Sequence, residues 1–248
     1  MKIAVLSNIY GNKYALKKVL DQIETQDIDQ LVILGNSIGF GPHNFQILNM
    51  LRSQNILYHL KGKIEEGMFS DKQINKLNLH LANSMIKAKQ KLDEESKSFL
   101  DNAPNHFLHN EKYFFIPSPE TFPDRLINEE ESIILCLKKF NHRITISSCN
   151  HTNFAFEYDG TNPPTKIVKR KLKLSDSLQT FISVGSVGYP SNGSITAKYL
   201  ILDDEKGSIH FNETTYDYTK TQKDMQVAGI SKILIRQLSP LYNKSMNE

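Results

Sequence analysis

The stretch Met1–Asn12, MKIAVLSNIYGN, decides the fold of this 248-residue chain. Lys2 to Leu6 is a short apolar run, which is typical of a buried parallel strand. The run ends in the polar, glycine-containing turn Ser7–Asn12. A helical pattern follows at once, with apolar residues at Ala15, Leu16, Val19, Leu20 and Ile23. The turn therefore lies at the carboxyl end of a strand, where open α/β proteins bind their ligands.

Four more apolar strands in the chain end in polar turns. They are predicted at Gln30–Leu34, Ile56–Leu60, Tyr113–Ile116 and Arg143–Ser147. A second helix is predicted after the strand Gln30–Leu34, from the apolar residues Phe45, Ile47, Leu48 and Leu51. A helical insert follows the strand Ile56–Leu60, with apolar residues at Leu77, Leu79, Leu81, Met85 and Ile86, and another short helix precedes Pro104. The carboxyl ends of parallel strands meet at one edge of a sheet, so we expect these turns to form one site.

The last third of the chain is predicted to be antiparallel β-structure. Phe154, Phe156 and Tyr158 alternate with other residues, as expected of a strand. Further strands are predicted at Lys166–Leu174, Phe181–Val187, Tyr199–Leu202 and Ser208–Phe211. One final helix is predicted from Met225, Val227, Ile230, Ile233 and Leu234. We expect a single domain over residues 1–240 and a polar C-terminal tail over 241–248.

The composition excludes several classes of protein. The charged and apolar fractions, 23% and 39%, are those of an ordinary globular protein, and a net charge of +3 is too small to indicate nucleic-acid binding. No stretch is apolar enough to span a membrane or to serve as a signal peptide. Cys136 and Cys149 do not have the spacing of a metal site. We expect both to be free thiols, and a disulfide between them is the alternative. We expect a soluble, cytoplasmic protein with no nucleic-acid or membrane partner.

The turns resemble the motifs of the calcineurin-like metallophosphoesterases, in particular the small single-domain bacterial and archaeal branch. Ser7–Asn12 reads S-N-I-Y-G-N where the family has S-D-I-H-G-N. Gly35–Pro42 reads G-N-S-I-G-F-G-P where the family has G-D, two hydrophobic residues and G-Y-G-P. Asn150–Asn153 reads N-H-T-N where the family has G-H-T-H. The resemblance implies an α/β fold, a four-layer α/β/β/α sandwich, with its site at the carboxyl ends of the central strands.

Four weaker matches extend the resemblance over nearly the whole chain. Gly62–Glu65, G-K-I-E, stands where the family has G-N-H-D, and Ser183–Ser186 stands where it has N-P-G-S, with Ser191 in place of a later arginine. Tyr216 and Asp217 match the closing Y-D. The family's H-G-S-P falls at Pro117-Ser118-Pro119, which places either Ile116 or, after a shift of one residue, Pro117 at the ligand position.

The departures fall on the residues that hold metal in the family. Asn8, Tyr10, Asn36, Lys63, Ile116 and Asn153 occupy ligand positions, and only His151 is a strong ligand. A two-metal site clamps the attacking and leaving oxygens, and it needs anionic and imidazole ligands to hold its cations. We therefore expect no catalytic residue, no metal ligand and no cofactor. Weakly bound manganese or another divalent metal is the alternative.

A residual ligand pocket is nevertheless expected at these turns. Its predicted residues are Asn8, Tyr10, Asn12, Asn36, Lys63, Asn150, His151 and Asn153. Lys63 has two open interpretations: its ammonium fills the vacated metal space, bonded to the oxygens of Asn8, Asn36 and Asn150, or it points into solvent. His43 is expected to be a solvated loop residue rather than a ligand contact.

Two further features have simpler explanations than function. A Cys149–His151 nucleophile is disfavoured, because adjacent strand-end residues point apart and no third residue orients the pair. The basic run Lys166–Lys173 suits a lysine-protected edge strand better than a nucleic-acid patch.

Two classes of function remain. The first is a catalytically degenerate metallophosphoesterase-like protein that binds a small phosphate-containing ligand or a protein partner. The second is an active metal-dependent phosphodiester or phosphomonoester hydrolase with an atypical site. The departures favour the first, because they fall on the ligands while the glycines and apolar strands stay. The sequence leaves the oligomeric state open.

Overall fold

The computed structural model describes residues 1–75, 77–115, 130–148, 151–189 and 194–239. The strands in this part of the chain are β1 (Lys2–Leu6), β2 (Gln30–Ile33), β3 (Ile56–His59), β4 (His106–His109), β5 (Lys112–Phe115), β6 (Ile144–Ser147), β7 (Asn153–Tyr158), β8 (Thr165–Ile167), β9 (Lys171–Lys173), β10 (Gln179–Val184), β11 (Thr196–Asp203) and β12 (Ser208–Thr215). The helices are α1 (Lys13–Ile23), α2 (Asn44–Arg52), α3 (Lys63–Phe69), α4 (Asp71–Ile74), α5 (Leu79–Gln90), α6 (Glu94–Asn102), α7 (Glu130–Phe140), α8 (Tyr218–Val227) and α9 (Lys232–Gln237).

The strands form two six-stranded sheets. The first has the order β3-β2-β1-β11-β12-β9, and the second has the order β4-β5-β6-β10-β7-β8. β1 pairs in parallel with β2 and antiparallel with β11, while β10 pairs in parallel with β6 and antiparallel with β7. The carboxyl ends of β1, β2 and β3 therefore lie at one edge of the first sheet.

Both faces of the first sheet are buried, which explains why β1 is apolar from Ile3 to Leu6. Ile3 and Val5 pack into the core between the two sheets, and Ala4 and Leu6 pack against the helix side with Leu16 of α1. Successive side chains of a strand point to opposite faces, so a strand buried on both sides carries no polar position. The α7 side chains cover the outer face of the second sheet. The predicted four-layer α/β/β/α sandwich is confirmed.

The C-terminal part differs from the prediction in two ways. The prediction of a single final helix is wrong, because the structure has two helices, α8 and α9, in this region. Gly229 lies between them, and its φ of 67° is in the left-handed region where helices commonly end. The strand predicted over Lys166–Leu174 is two strands, and they belong to different sheets. β8 is an edge of the second sheet and β9 an edge of the first, which confirms the edge-strand interpretation of this basic run.

Only one of the two cysteines lies in the part of the chain that the structure describes. Cys136 is buried in α7, and Cys149 lies outside the described residues, as do Ile116 and Pro117. Among the helices of the described ranges, none has the length and apolar character that a membrane crossing requires.

Candidate functional site

The site is built on two turns that follow β1 and β2. Their backbones are joined by hydrogen bonds from Asn8 N to Gly35 O (3.2 Å) and from Tyr10 N to Asn36 O (2.8 Å). Asn8, Tyr10 and Asn36 all have left-handed backbones, with φ of 55°, 51° and 51°. Asparagine tolerates this conformation, whereas a bulky residue such as tyrosine is strained there. Strain of this kind is a feature of binding and catalytic sites.

The two amides at this edge bond to each other. Asn36 Nδ2 donates to Asn8 Oδ1 at 2.7 Å, and Asn36 Oδ1 accepts from the backbone N–H of Ile64 at 3.1 Å. Asn8 Nδ2 makes long hydrogen bonds to Gly185 O (3.3 Å) and Ser148 O (3.5 Å). Both side chains are buried. The turns after β1 and β2 therefore bring the side chains of Asn8 and Asn36 into contact.

Tyr10 and His151 close the other side of the site. Their side chains share a hydrogen bond, with 3.0 Å between the Tyr10 hydroxyl and His151 Nε2. The Tyr10 ring stacks on Phe40 with 5.0 Å between centroids, and Tyr189 lies 4.7 Å from the His151 ring. Burial raises the pKa of Tyr10. Burial, followed by the positive charge of Lys198, lowers the pKa of His151 from 6.5 to about 4, so this imidazole is neutral at pH 7.

A buried carboxylate holds the turns in place. Glu65 Oε1 accepts from the backbone N–H of Ser37 (2.7 Å) and Ile38 (3.3 Å), and Oε2 accepts from that of Asn36 (2.9 Å) and Gly62 (3.0 Å). Burial raises the pKa of Glu65, and backbone hydrogen bonds, among them those from Ile38, Asn36 and Ser37, oppose this shift. Gly62 permits the close approach, because a Cβ there would collide with the backbone nitrogen of Asn36.

The structure distributes the other predicted pocket residues differently. Asn12 caps α1 through Ala15 N and also bonds to Gly188 O and Thr221 Oγ1, so its amide is used by the scaffold. Asn153 begins β7 and lines a separate cavity of about 230 Å³ with Arg170 and Glu213. Asn150 lies outside the described residues.

The solvent interpretation of Lys63 is the one that agrees with the structure. Lys63 is the first residue of α3, and its side chain is exposed. The oxygens of Asn8 and Asn36 are bonded to Asn36 Nδ2 and to Ile64 N, as described above. The vacated space is therefore not filled by this ammonium.

A different lysine lies near the site, and sequence reasoning missed it. Lys198 on β11 is only 8% exposed, and its backbone N–H donates to Ser186 O at 2.8 Å. Burial lowers its pKa, while Glu213, its cross-strand neighbour, opposes the shift. The alternation of β11 could have revealed it, because Lys198 shares a face with Leu200 and Leu202, which point into the core between the sheets.

The expectation for His43 is wrong. This residue occupies the position before α2, where its side chain makes no capping hydrogen bond, and it is only 4% exposed. Its Nε2 lies 2.8 Å from Asp224 Oδ2 on α8, and its Nδ1 lies 3.3 Å from Gly11 O. The side chain therefore joins α8 to the first turn. Sequence spacing gave no indication of the contact, because the two partners are 181 positions apart.

The side chains present do not fit a pair of divalent cations. Asn8 and Asn36 offer neutral oxygens that already accept hydrogen bonds, and His151 Nε2 is bonded to Tyr10. Neutral amides are weak anchors for such ions, which require carboxylates or imidazoles as well. Within the described ranges there is no group of three or more His, Cys, Asp and Glu residues placed to hold one metal ion.

Comparisons with known proteins support the fold. No family model matches the chain. An uncharacterized protein of Methanocaldococcus jannaschii is 24% identical over 221 residues, which is 88% of this chain and 89% of that protein. A metallophosphoesterase from Sphaerobacter thermophilus matches with a TM-score of 0.80 and 22% identity over 96% of this chain and 98% of its own. A hypothetical protein from Pyrococcus horikoshii OT3 matches with a TM-score of 0.77 and 20% identity over 96% and 97% of the two chains. The chain therefore has the metallophosphoesterase fold.

Proposed function

We propose that this chain, which has the metallophosphoesterase fold, is a catalytically degenerate member of that fold that binds a ligand instead of hydrolysing a phosphoester at a dinuclear metal centre. The observation that carries the proposal is the internal bonding of the former ligand positions. Asn36 bonds to Asn8, and Tyr10 bonds to His151. A metal would have to break both contacts and would gain only neutral oxygens and one imidazole.

The ligand class that suits the site best is a small phosphate-containing molecule. Lys198 supplies a buried positive charge close enough to His151 to lower the pKa of that imidazole. Asn8 Nδ2 makes only long hydrogen bonds and can donate to a bound oxygen. Charged and amide donors of this kind bind phosphate at modest strength. A location in the cytoplasm, without membrane or nucleic-acid partners, is part of this proposal.

Manganese titration calorimetry tests the loss of the metal centre. Wild-type protein should show no binding heat, and manganese should leave its melting temperature unchanged, because only binding to the native state stabilises. The comparison protein carries Asn8→Asp, Tyr10→His, Asn36→Asp, Lys63→Asn, Ile116→His and Asn153→His, and it should regain measurable manganese binding. Strong binding by wild type, or manganese-dependent turnover of a phosphodiester, would overturn the proposal.

The phosphate proposal is tested separately with inorganic phosphate and ATP, followed by amide NMR shifts around Asn8 and Asn36. Lys198→Met should abolish the shifts, and Lys63→Met should leave them unchanged because Lys63 is exposed. Shifts that depend on Lys63 and not on Lys198 would contradict this assignment. If neither compound binds wild type, the ligand is not a phosphate, and binding of a protein partner becomes the interpretation.

A further inference from the structure

A concave region lined by lysines lies beside β9, the edge strand of the first sheet. Its volume is about 760 Å³. Four lysines line it, Lys169, Lys171, Lys173 and Lys206, together with one carboxylate, that of Glu157 on β7. We call this region the β9 groove.

The β9 groove lies at the far end of the first sheet from the candidate site. Lys173 pairs with Ser208 of β12. Ser208 pairs in turn with Asp203 of β11, and Asp203 pairs with Lys2. Lys2 begins β1, whereas the candidate site follows the last residue of that strand, Leu6. The groove is therefore separate from the site of the proposed function.

The positive charges of the groove outnumber the carboxylates around them. Within the part of the chain that the structure describes, the side chains of Lys169 and Lys171 form no hydrogen bond or ion pair. Lys173 Nζ donates to the backbone oxygen of Lys206 at 2.6 Å. Lys206 lies 3.5 Å from Asp203, and its side chain is 68% exposed. A concave surface with this excess of positive charge attracts an anionic partner.

β9 also presents backbone groups on its open side. Arg170 O accepts a hydrogen bond from Phe211 N at 2.8 Å, so Arg170 faces β12. Backbone groups of an antiparallel strand face the same neighbour at every second residue. The N–H and C=O groups of Lys171 and Lys173 therefore point away from β12, on the side where the sheet order ends. An edge of this kind is a template for one more strand.

The lysines decide which strand can be added at this edge. A second copy of β9 would bring lysine against lysine, and like charges on paired strands are destabilising. The side chains of Lys171 and Lys173 share one face of the strand, while Leu172 points into the core between the sheets. A strand with carboxylates at alternate positions would place them opposite these two lysines. A phosphate chain would meet the charges, but it would leave the backbone N–H and C=O groups without partners.

We propose that the β9 groove binds an extended, carboxylate-rich segment of a partner protein, which adds to the first sheet as a strand beside β9. The backbone of the segment bonds to that of Lys171 and Lys173, and its alternate Glu or Asp side chains meet the ammonium groups. In this mode of recognition, main-chain hydrogen bonds give affinity and alternate side chains give specificity. The lysines that prevent unselective pairing at this edge thereby select an acidic partner. The inference does not depend on the proposed function.

Three probes test the proposal by amide NMR titration of the β9 and β12 signals. The first is the end-blocked peptide Glu-Val-Glu-Val-Glu, and the second is the same peptide methylated at its glutamate nitrogens, which removes the N–H groups that face β9. The third is inorganic tripolyphosphate. We expect the first peptide to bind about tenfold more tightly than the second, because both carry the same charge and only the first can form the strand hydrogen bonds.

Two outcomes of this titration would overturn the proposal. Equal affinities of the two peptides, or no binding by the unmethylated one, would exclude strand addition. Tighter binding of tripolyphosphate than of the unmethylated peptide at the same signals would assign the groove to phosphate chains instead.

Charge reversal locates the binding in the groove. Lys171→Glu combined with Lys173→Glu should weaken binding of the acidic peptide about tenfold or more, because two attractive pairs become repulsive. The same variant should bind Lys-Val-Lys-Val-Lys more tightly than wild type does, which also shows that it is folded. Lys18→Glu combined with Lys223→Glu, at exposed positions of α1 and α8, is the control with the same net charge and should bind the acidic peptide as wild type does. Equal losses in the two double variants, or no gain of affinity for the basic peptide, would reject the groove.

Discussion

At the scale of single residues, Asn8 and Asn36 have the shape of a pair of aspartates without the charge. Asparagine has nearly the volume of aspartate, and Asn8 and Asn36 keep left-handed backbones at the ends of β1 and β2. What changes is charge: one amide donates to the other over 2.7 Å, which two carboxylates cannot do without a shared proton or cations between them.

Restoring both carboxylates should therefore destabilise the metal-free protein. We expect Asn8→Asp combined with Asn36→Asp to lower the free energy of unfolding by about 1–3 kcal/mol at pH 7, because two buried like charges replace a hydrogen bond. Urea denaturation measures the effect. The deficit should shrink as the pH falls, since one carboxyl then takes up a proton. A double variant as stable as wild type at pH 7 would show that the two side chains are not in contact.

Tyr10 offers a second test at this scale. Tyr10→Phe keeps the stacking on Phe40 but removes the hydroxyl that bonds to His151 Nε2. We expect a loss of about 1 kcal/mol in the free energy of unfolding, since His151 loses its partner in a mostly buried place. Tyr218→Phe, at a partly buried position of α8, is the control and should change stability by less than about 0.5 kcal/mol. Equal effects of the two substitutions would argue against the Tyr10–His151 bond.

At the scale of elements, α3 is tied to the turn after β2 by one side chain. Glu65 lies in the first turn of α3 and accepts backbone hydrogen bonds from Asn36, Ser37 and Ile38. A carboxylate can do this because it has acceptor sites on both oxygens and no donor. The position thus holds the loops of two neighbouring strands in a fixed relation.

Glu65→Gln should be costly for this reason. One end of the amide is a donor and would face backbone N–H groups, so we expect a loss of about 2–4 kcal/mol in the free energy of unfolding. Glu95→Gln, where the side chain is 82% exposed, is the control and should have little effect. Chemical denaturation compares the two, and a small effect at Glu65 would mean that the carboxyl is protonated in the folded protein, so that one of its oxygens already carries a hydrogen.

At the scale of the whole molecule, buried histidines link folding to pH. Burial lowers the pKa of His59 and of His151 to about 4, and it lowers that of His43 as well. In the unfolded chain a histidine takes up its proton near pH 6.5. Between about pH 6.5 and pH 4 the unfolded state therefore binds more protons, and stability falls as the pH falls.

The contribution of His59 can be measured alone. Its pKa change from 6.5 to about 4 corresponds to at most about 3 kcal/mol of stability, present above pH 6.5 and lost progressively toward pH 4. In this pH window the unfolded wild-type protein binds up to about one more proton at His59 than the folded protein does. His59→Gln removes that difference, so the unfolding free energy should depend less steeply on pH in the variant. His80→Gln, at an exposed position, is the control. If the slope is unchanged in His59→Gln, this imidazole is not buried in the folded protein.

The sequence by itself determined the order of the main strands and turns and the side chains that those turns carry. A strand that is buried on both faces can be recognised from a few consecutive apolar residues, and the glycine-containing turn that follows it can be recognised in the same way. The substitutions at Asn8, Tyr10 and Asn36 are equally visible, because each is read at a fixed place in a short motif.

Only the tertiary structure decided which groups meet. The partner of His43 is on α8, the buried cation near His151 is Lys198 and not Lys63, and the basic run after β7 divides between two sheets. In each case the answer depends on contacts between residues far apart in the chain, where spacing carries no information. The sequence alone does not distinguish Lys198 from Lys63. They differ in burial, because the side chain of Lys198 is buried between the two sheets and Lys63 is exposed at the start of α3.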